Sequence, residues 1–179
     1  MYWNRLIFNI FYILYVKFKL LIQQGIELNS NQIPKVTIGI PVYNGEREIR
    51  RAIDSVLAQT FTNFECVISD NASTDQTELI CKEYEKIDKR ITYIRKKENL
   101  GPLLNYLFLL ERTNSDYFSW LSHDDYWEPS FLEKNVSILN SNKNIVGSIG
   151  LVKYVGEKEE HIKENLIFKI KNLVKRGSN

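Results

Sequence analysis

From Lys35 onward the chain alternates short β-branched runs with longer stretches of helical spacing, and this alternation limits the fold more than any other feature. "KVTIGI" (35–40) is a β-branched run stopped by Pro41, the pattern of a strand. From Glu46 to Ala58, the residues Ile49, Ala52, Ile53, Val56 and Leu57 recur at helical spacing with charges between them. "FECVIS" (64–69), "RITYIR" (90–95) and "DYFSWLS" (116–122) repeat the strand signature. Asp75 and Glu78 open a helix as a cap-like Asp-x-x-Glu pair, and Leu79, Ile80 and Tyr84 are expected on its buried side. "PLLNYLFLLER" (102–112) predicts a helix so apolar that it should be largely buried. Pro129 to Asn140 predicts a helix with proline in its first turn. "NIVGSIGLVKYV" (144–155) predicts a fifth strand, bent near Gly147 and Gly150.

That order predicts an α/β fold, a doubly wound and mostly parallel sheet with helices on both faces. In such sheets ligands sit outside the carboxyl ends of the strands, where the strand order reverses. The stretches after the first, second and fourth strands are "PVYNGE" (41–46), "DNASTD" (70–75) and "HDDYW" (123–127). All three open on one sheet edge and can converge. The first strand is followed by no GxGxxG turn, which argues against a dinucleotide-dependent dehydrogenase, and neither of the first two loops holds a P-loop or a GxSxG elbow.

Charge is unevenly divided. Residues 34–152 hold 14 basic and 17 acidic side chains, whereas residues 1–33 and 153–179 are each net basic. A mildly acidic body with basic ends is not the profile of a nucleic-acid binder, which concentrates Lys and Arg on the folded part. It suits a domain whose ends approach an anionic membrane surface. Cys66 and Cys81 belong to no CxxC or Cys/His cluster, so both are expected as buried free thiols in a reducing, cytoplasmic compartment.

Three segments follow: an apolar N-terminal helix and linker (1–33), the α/β domain (34–155) and an amphipathic helical tail (156–179). "RLIFNIFYILYVKFKLLI" (5–22) is apolar and aromatic, but its charge-free run from Leu6 to Val16 falls short of the about 20 residues a spanning helix needs. It has no small-residue cleavage site of a secretory signal. A helix lying on a membrane surface through residues 1–24, a signal-anchor, and a helix packed on protein all remain open, the first favoured by Trp3, Tyr12, Tyr15 and the flanking basic residues. In the tail, Ile162, Leu166, Ile167, Ile170, Leu173 and Val174 fall at helical spacing, suited to a membrane or to the sheet.

The acidic residues at the strand ends carry the chemistry. Asp70 follows an apolar strand directly, and either organises a turn or accepts an N–H from a nucleobase. Asp124 and Asp125 repel each other unless a cation or hydrogen bonds compensate. They either form an exposed turn capping the next helix or hold a hard divalent ion, Mn²⁺ or Mg²⁺, together with substrate phosphates. His123 suits a packing or supporting role, and two histidines in the chain make a histidine-based metal site a poor reading.

The same residues carry a resemblance. "VTIGIPVYNGEREIRRAIDSVLAQTFTNFECVISDNASTD", "ENLGPLLNY" (98–106) and "YFSWLSHDDYWEPSFLEKNV" together resemble the family 2 glycosyltransferases, nucleotide-sugar transferases of the GT-A fold, over about two-thirds of the chain. The resemblance implies that Pro41, Tyr43 and Asn44 line a nucleotide pocket and that Asp70 binds the base, most often uracil. It implies further that Asp124 and Asp125 serve the ribose, the diphosphate and Mn²⁺ or Mg²⁺. By the same resemblance Asn99 and Gly101 shape the pocket wall and Arg95 contacts the diphosphate. Two positions depart from the family pattern: Ser122 stands where an Asp is frequent, and Asn71 where many members have a second Asp.

The implied function is inverting transfer of a sugar from a UDP-linked donor to a hydroxyl acceptor such as a glycan or lipid-linked glycan, in polysaccharide biosynthesis. A general base would come from an acceptor-binding half that has no recognisable counterpart after Trp127. Glu157, Glu159, Glu160 and Glu164 are the remaining carboxylates there, and their spacing reads as a solvated helix surface. The alternative is a truncated, non-catalytic GT-A domain that binds a nucleotide-sugar or a partner protein without transfer.

Overall fold

The computed structural model describes residues 16–17, 34–148 and 150. Its centre is β2 (Val36–Val42), whose seven residues are all buried. β3 (Phe64–Asp70) runs parallel to it on one side, in register from Val36↔Phe64 to Val42↔Asp70. β4 (Ile91–Arg95) runs parallel to β3, with Asp70 opposite Arg95. The chain then crosses back, and β5 (Tyr117–Trp120) pairs with the other side of β2. β1 (Val16–Lys17) adds a two-residue antiparallel pairing outside β5, giving the order β1-β5-β2-β3-β4. The strand order therefore reverses between β2 and β5, and the predicted parallel α/β sheet is formed.

Among the described residues α1 (Ile49–Leu57), α2 (Thr77–Ile87) and α3 (Pro102–Glu111) join successive strands, and α4 (Phe131–Ser141) follows β5. The pleat of β2 sends Val36, Ile38, Ile40 and Val42 to one face, where Ile49, Ile53 and Val56 of α1, Ile80 of α2, and Leu132, Val136 and Leu139 of α4 complete the main core. Burying each of these large aliphatic side chains contributes about 1.5–3 kcal/mol as an upper bound. On the opposite face α3 places Leu109 against Val67 and Phe118. Cys66 and Cys81 are free and buried in the main core, where desolvation pushes the Cys81 thiol up to about 12.

Several expectations need correction. α3 is largely exposed, with Leu103 69% and Leu104 52% accessible and only Asn105 and Leu109 buried. Leu79 also faces solvent rather than the buried side of α2. Asp75 does start α2, accepting both the N–H and the hydroxyl of Thr77 through Oδ1, but Glu78 ion-pairs with Lys82 and Arg95 instead of reaching back. Pro129 lies outside α4, one residue before its cap Ser130, and its carbonyl accepts the N–H of Thr60. No strand forms at the described residues 144–148 and 150. There Ser148 donates instead to Asn135 of α4 at 2.6 Å. The remainder of that predicted strand, Glu157, Glu159, Glu160 and Glu164, and the C-terminal helix lie outside the described residues. So does the predicted N-terminal helix except for Val16–Lys17, which are extended.

Candidate functional site

The loops after β2 and β3 are zipped together by backbone N–H groups of each loop bonded to side-chain oxygens of the other. The N–H of Asn44 donates to Ser73 Oγ at 2.9 Å, that of Gly45 to Thr77 Oγ1 at 2.9 Å and that of Glu46 to Asp75 Oδ2 at 3.1 Å. In return Asn44 Oδ1 accepts the N–H of Thr74 at 2.8 Å, and Glu46 accepts that of Gln76 at 3.0 Å. Asn44 holds a positive φ of 52°, a conformation that asparagine adopts more readily than most residues. Tyr43 beside it is exposed at the rim, while Pro41 is buried within β2.

Asp70 is 0% exposed, and both of its oxygens have partners. Oδ1 accepts the N–H of Ser73 at 2.8 Å and its hydroxyl at 2.5 Å, and Oδ2 accepts the hydroxyl of Tyr93 at 2.5 Å. Desolvation first, and then this hydrogen bond, push the Tyr93 phenol far up. Arg95 lies 3.9 Å from Asp70, donates to the Ser73 carbonyl at 2.8 Å and pairs with Glu78 at 3.0 Å. Asp70 thus acts on the edge of the site through Ser73, which in turn holds Asn44.

Across this edge, the 99–101 turn is tied to β3 by Asn71. The Asn71 amide donates to Asn99 Oδ1 at 2.7 Å and to the Gly101 carbonyl at 3.1 Å, and accepts the Leu100 N–H at 3.0 Å. Gly101 has φ 82°, which a side chain would strain although the space beside it is open. One helical turn later, buried Asn105 accepts from Ser69 Oγ at 2.5 Å and donates to the Ser69 carbonyl at 2.8 Å.

The acidic turn sits at the reversal point, beyond the end of β5. Ser122, in the position where the resemblance expects an acid, donates its hydroxyl to Asp124 Oδ1, and its carbonyl accepts the Asp125 N–H at 3.1 Å. Helix α1 holds the turn from below. Arg51 donates to the Asp124 carbonyl at 2.9 Å and lies 4.7 Å over the Tyr126 ring, and Ser55 Oγ accepts the Trp127 N–H at 3.1 Å. Gln59 donates to the Glu128 carbonyl at 2.9 Å and accepts the Leu132 N–H at 2.9 Å. The Asp125 carboxylate reaches solvent and has no hydrogen-bond or ion-pair partner among the described residues. Partial desolvation, then the neighbouring Asp124, push it up to about 6, against the pull of Arg51 and His123. Among the described residues no three His, Cys, Asp or Glu side chains cluster as a self-sufficient metal cage. Two adjacent carboxylates, one of them unpartnered, fit a divalent ion that completes its shell with ligand phosphates and water.

The fold recurs in solved structures. The S. aureus TarS fragment crystallised in complex with UDP-GlcNAc superimposes with a TM-score of 0.57 at 25% identity, covering 60% of this chain and 31% of that one. Residues 37–179 match the sequence model described as glycosyl transferase family 2. The chain belongs to this family. Among curated relatives, an uncharacterized glycosyltransferase of Rickettsia typhi is 42% identical over 115 residues, 63% of this chain and 35% of the relative. A second, from Rickettsia felis, is 39% identical over 147 residues, 78% of this chain and 24% of its own length. The putative teichuronic acid biosynthesis glycosyltransferase TuaG of Bacillus subtilis is 36% identical over 110 residues, 62% of this chain and 44% of that protein. The chain therefore spans only about a quarter to under a half of the length of these relatives.

Sequence reasoning singled out Asn44, Asp70, Asn99, Gly101, Asp124 and Asp125, and each lies in or beside these loops. It passed over Arg51, Ser55, Gln59, Ser73, Tyr93 and Asn105, which hold them in place. Asn105 did carry a signal: it is a polar residue within an otherwise apolar helix, and such a residue needs a partner if it is buried.

Proposed function

We propose that this chain is the donor-binding part of a glycosyltransferase that moves a sugar from a nucleotide-sugar, most readily a UDP-sugar, to a hydroxyl acceptor in glycan or polysaccharide synthesis. The observation that carries this reading is the unpartnered Asp125 carboxylate beside Asp124 at the strand-order reversal. The TarS neighbour in complex with UDP-GlcNAc supports the donor class.

In this reading Tyr43, Asn44, Asn99 and Gly101 border the nucleotide, with Pro41 behind them. Asp70 orders that border through Ser73 and Asn44, and Arg95 supports it through the Ser73 carbonyl. A Mn²⁺ or Mg²⁺ ion would be held by Asp124 and Asp125, where it supplies Lewis-acid stabilisation of the negative charge on the departing diphosphate. Ser122 and Arg51 keep the two carboxylates at the rim, aimed away from the core. An inverting transfer needs, in addition, a carboxylate that takes the acceptor's proton.

Titration of UDP with and without Mn²⁺, paired with a UDP-release assay, tests the reading. It expects Mn²⁺-dependent binding that weakens by about tenfold or more in Asp125→Asn, as loss of a charged ligand contact implies. Binding that ignores both Mn²⁺ and the substitution overturns it, and binding without UDP release points to a nucleotide-binding domain that performs no transfer.

Residues 1–24 are proposed to contact the cytoplasmic face of a membrane, supported by their apolar and aromatic composition with basic residues beside it. Among the described residues no helix is long and apolar enough to cross a membrane. Deleting residues 1–24 should move the protein from the membrane fraction to the supernatant, and retention in the membrane fraction would refute the assignment.

A further inference from the structure

The resemblance marks position 71 as a departure, an amide where an acid is frequent, and the geometry gives that amide a specific task. Asn71 is 2% exposed; its backbone N–H is bonded to the Val42 carbonyl at 2.9 Å, and its side-chain amide bonds to one turn. Its two N–H bonds reach two oxygens, Asn99 Oδ1 at 2.7 Å and the Gly101 carbonyl at 3.1 Å, and its own oxygen receives the Leu100 N–H at 3.0 Å. Asn99 Oδ1 is shared, because it also accepts the Gly101 N–H at 2.9 Å. Beyond these bonds the turn is held by its link to α3, where the Asn105 N–H donates to the Gly101 carbonyl at 3.4 Å; Leu100 is exposed, and nothing lies within 4 Å of where a Cβ on Gly101 would be.

We infer that Asn71 is a positioning residue, whose amide locks the 99–101 turn onto the end of β3 and so keeps that wall of the site closed. A carboxylate at this position keeps the Leu100 contact but loses both donors, and sets its charge against two oxygen acceptors. Rotating the Asn99 amide would offer a donor to the carboxylate but would strip the Gly101 N–H of its acceptor. The lock therefore depends on Asn71 being an amide, while Asn99 serves only as an acceptor and an acid can replace it. The consequence for nucleotide binding rests on the function proposed above; the lock itself does not.

Amide hydrogen exchange of the full chain without ligand tests it, for the wild type, Asn71→Asp and Asn99→Asp. In N71D at pH 7.5 the Leu100 and Gly101 amides should exchange about tenfold faster while β2 amides keep their rates: both amides retain their own acceptors, but loss of the two Asn71 donor bonds shifts the turn toward its open form. Lowering the pH to about 4, where the new carboxyl regains a proton and a donor, should recover part of the lost protection relative to wild type at the same pH. In N99D the two amides should keep their protection within about twofold, because the shared acceptor is retained. If N71D also loosens β2, Asn71→Ser, uncharged and with one donor fewer, decides the question by whether the acceleration stays local. Unchanged exchange at Leu100 and Gly101, no recovery at low pH, or equal loss in N99D overturns the lock. The UDP dissociation constant, measured alongside, should rise about tenfold in N71D. If the wild type binds no UDP, the functional reading fails while the exchange result still decides the lock.

Discussion

Gly45 and His123 touch so closely that a Cβ on the glycine would lie 2.6 Å from Cδ2 of the imidazole and 2.7 Å from a methyl of Val42. The contact joins the loop after β2 to the loop after β5 directly across the strand-order reversal. It also explains His123 without ligand chemistry: the ring is packed on the glycine, immediately before the acidic pair. Gly45→Ala should displace His123 and with it Asp124, costing about 1–3 kcal/mol of stability, as overpacking does, and weakening Mn²⁺-dependent UDP binding. Adding His123→Ala to that variant should return part of the stability. Thermal denaturation of both variants reads the effect, and a double variant no more stable than G45A would disprove the steric account.

Gln59 holds the far end of the same turn. Its amide bridges the Ser55 carbonyl of α1, the Glu128 carbonyl and the Leu132 N–H at the start of α4. Gln59→Leu preserves the size of the side chain but leaves buried peptide groups without partners, which costs about 1–3 kcal/mol. The loss should appear in denaturant unfolding, with faster amide exchange at Leu132. A conservative Gln59→Glu change removes the two donors and keeps the acceptor, so Leu132 should stay protected while stability falls.

The sequence made the sheet legible because β2, β3 and β5 are short β-branched or aromatic runs that end at loops rich in turn formers. The acidic pair stood out because neither carboxylate can join a core. What stayed hidden depends on partners far apart in the chain. Asp70 gives no sign in sequence that Tyr93, one strand over, takes one of its oxygens. Nor does Arg51, in a run of charges on α1, announce that it reaches the Asp124 carbonyl at 2.9 Å. The helix 102–112 misled for a different reason: its composition reports hydrophobicity, whereas burial depends on what lies opposite, and only Leu109 and Asn105 are fully buried.

That inversion within α3 can be measured. The exposed leucines 103 and 104 should tolerate Leu103→Gln and Leu104→Gln within about 0.5 kcal/mol, as surface changes do. The polar Asn105, one residue further on, should not tolerate Asn105→Ala, which strands the Ser69 carbonyl and costs about 1–3 kcal/mol. Chemical denaturation of the three variants compares them directly. Larger losses at the leucines than at Asn105 would mean that the apolar face is buried in the working protein.

Asp125 gives the chain a pH dependence of defined sign. Its carboxyl is pushed up to about 6 from the usual 3.8, by desolvation and then by Asp124. A group that holds its proton more tightly when folded favours the folded state below its unfolded pKa, and that contribution is lost as pH rises through the folded value. Without ligands, stability should therefore carry a component that falls between about pH 4 and pH 6.5, small because water screens the exposed carboxylate. Asp125→Asn removes this component, so the variant should gain on the wild type as pH rises across that window. With Mn²⁺ and UDP present the sign reverses, because the cation needs the ionised carboxylate and wild-type affinity should climb through about pH 6. Thermal denaturation from pH 4 to 8, with and without the two ligands, reads both slopes. A gap between wild type and D125N that stays constant with pH would show that the carboxyl titrates at its ordinary value, and would remove the electrostatic case for a cation at this turn.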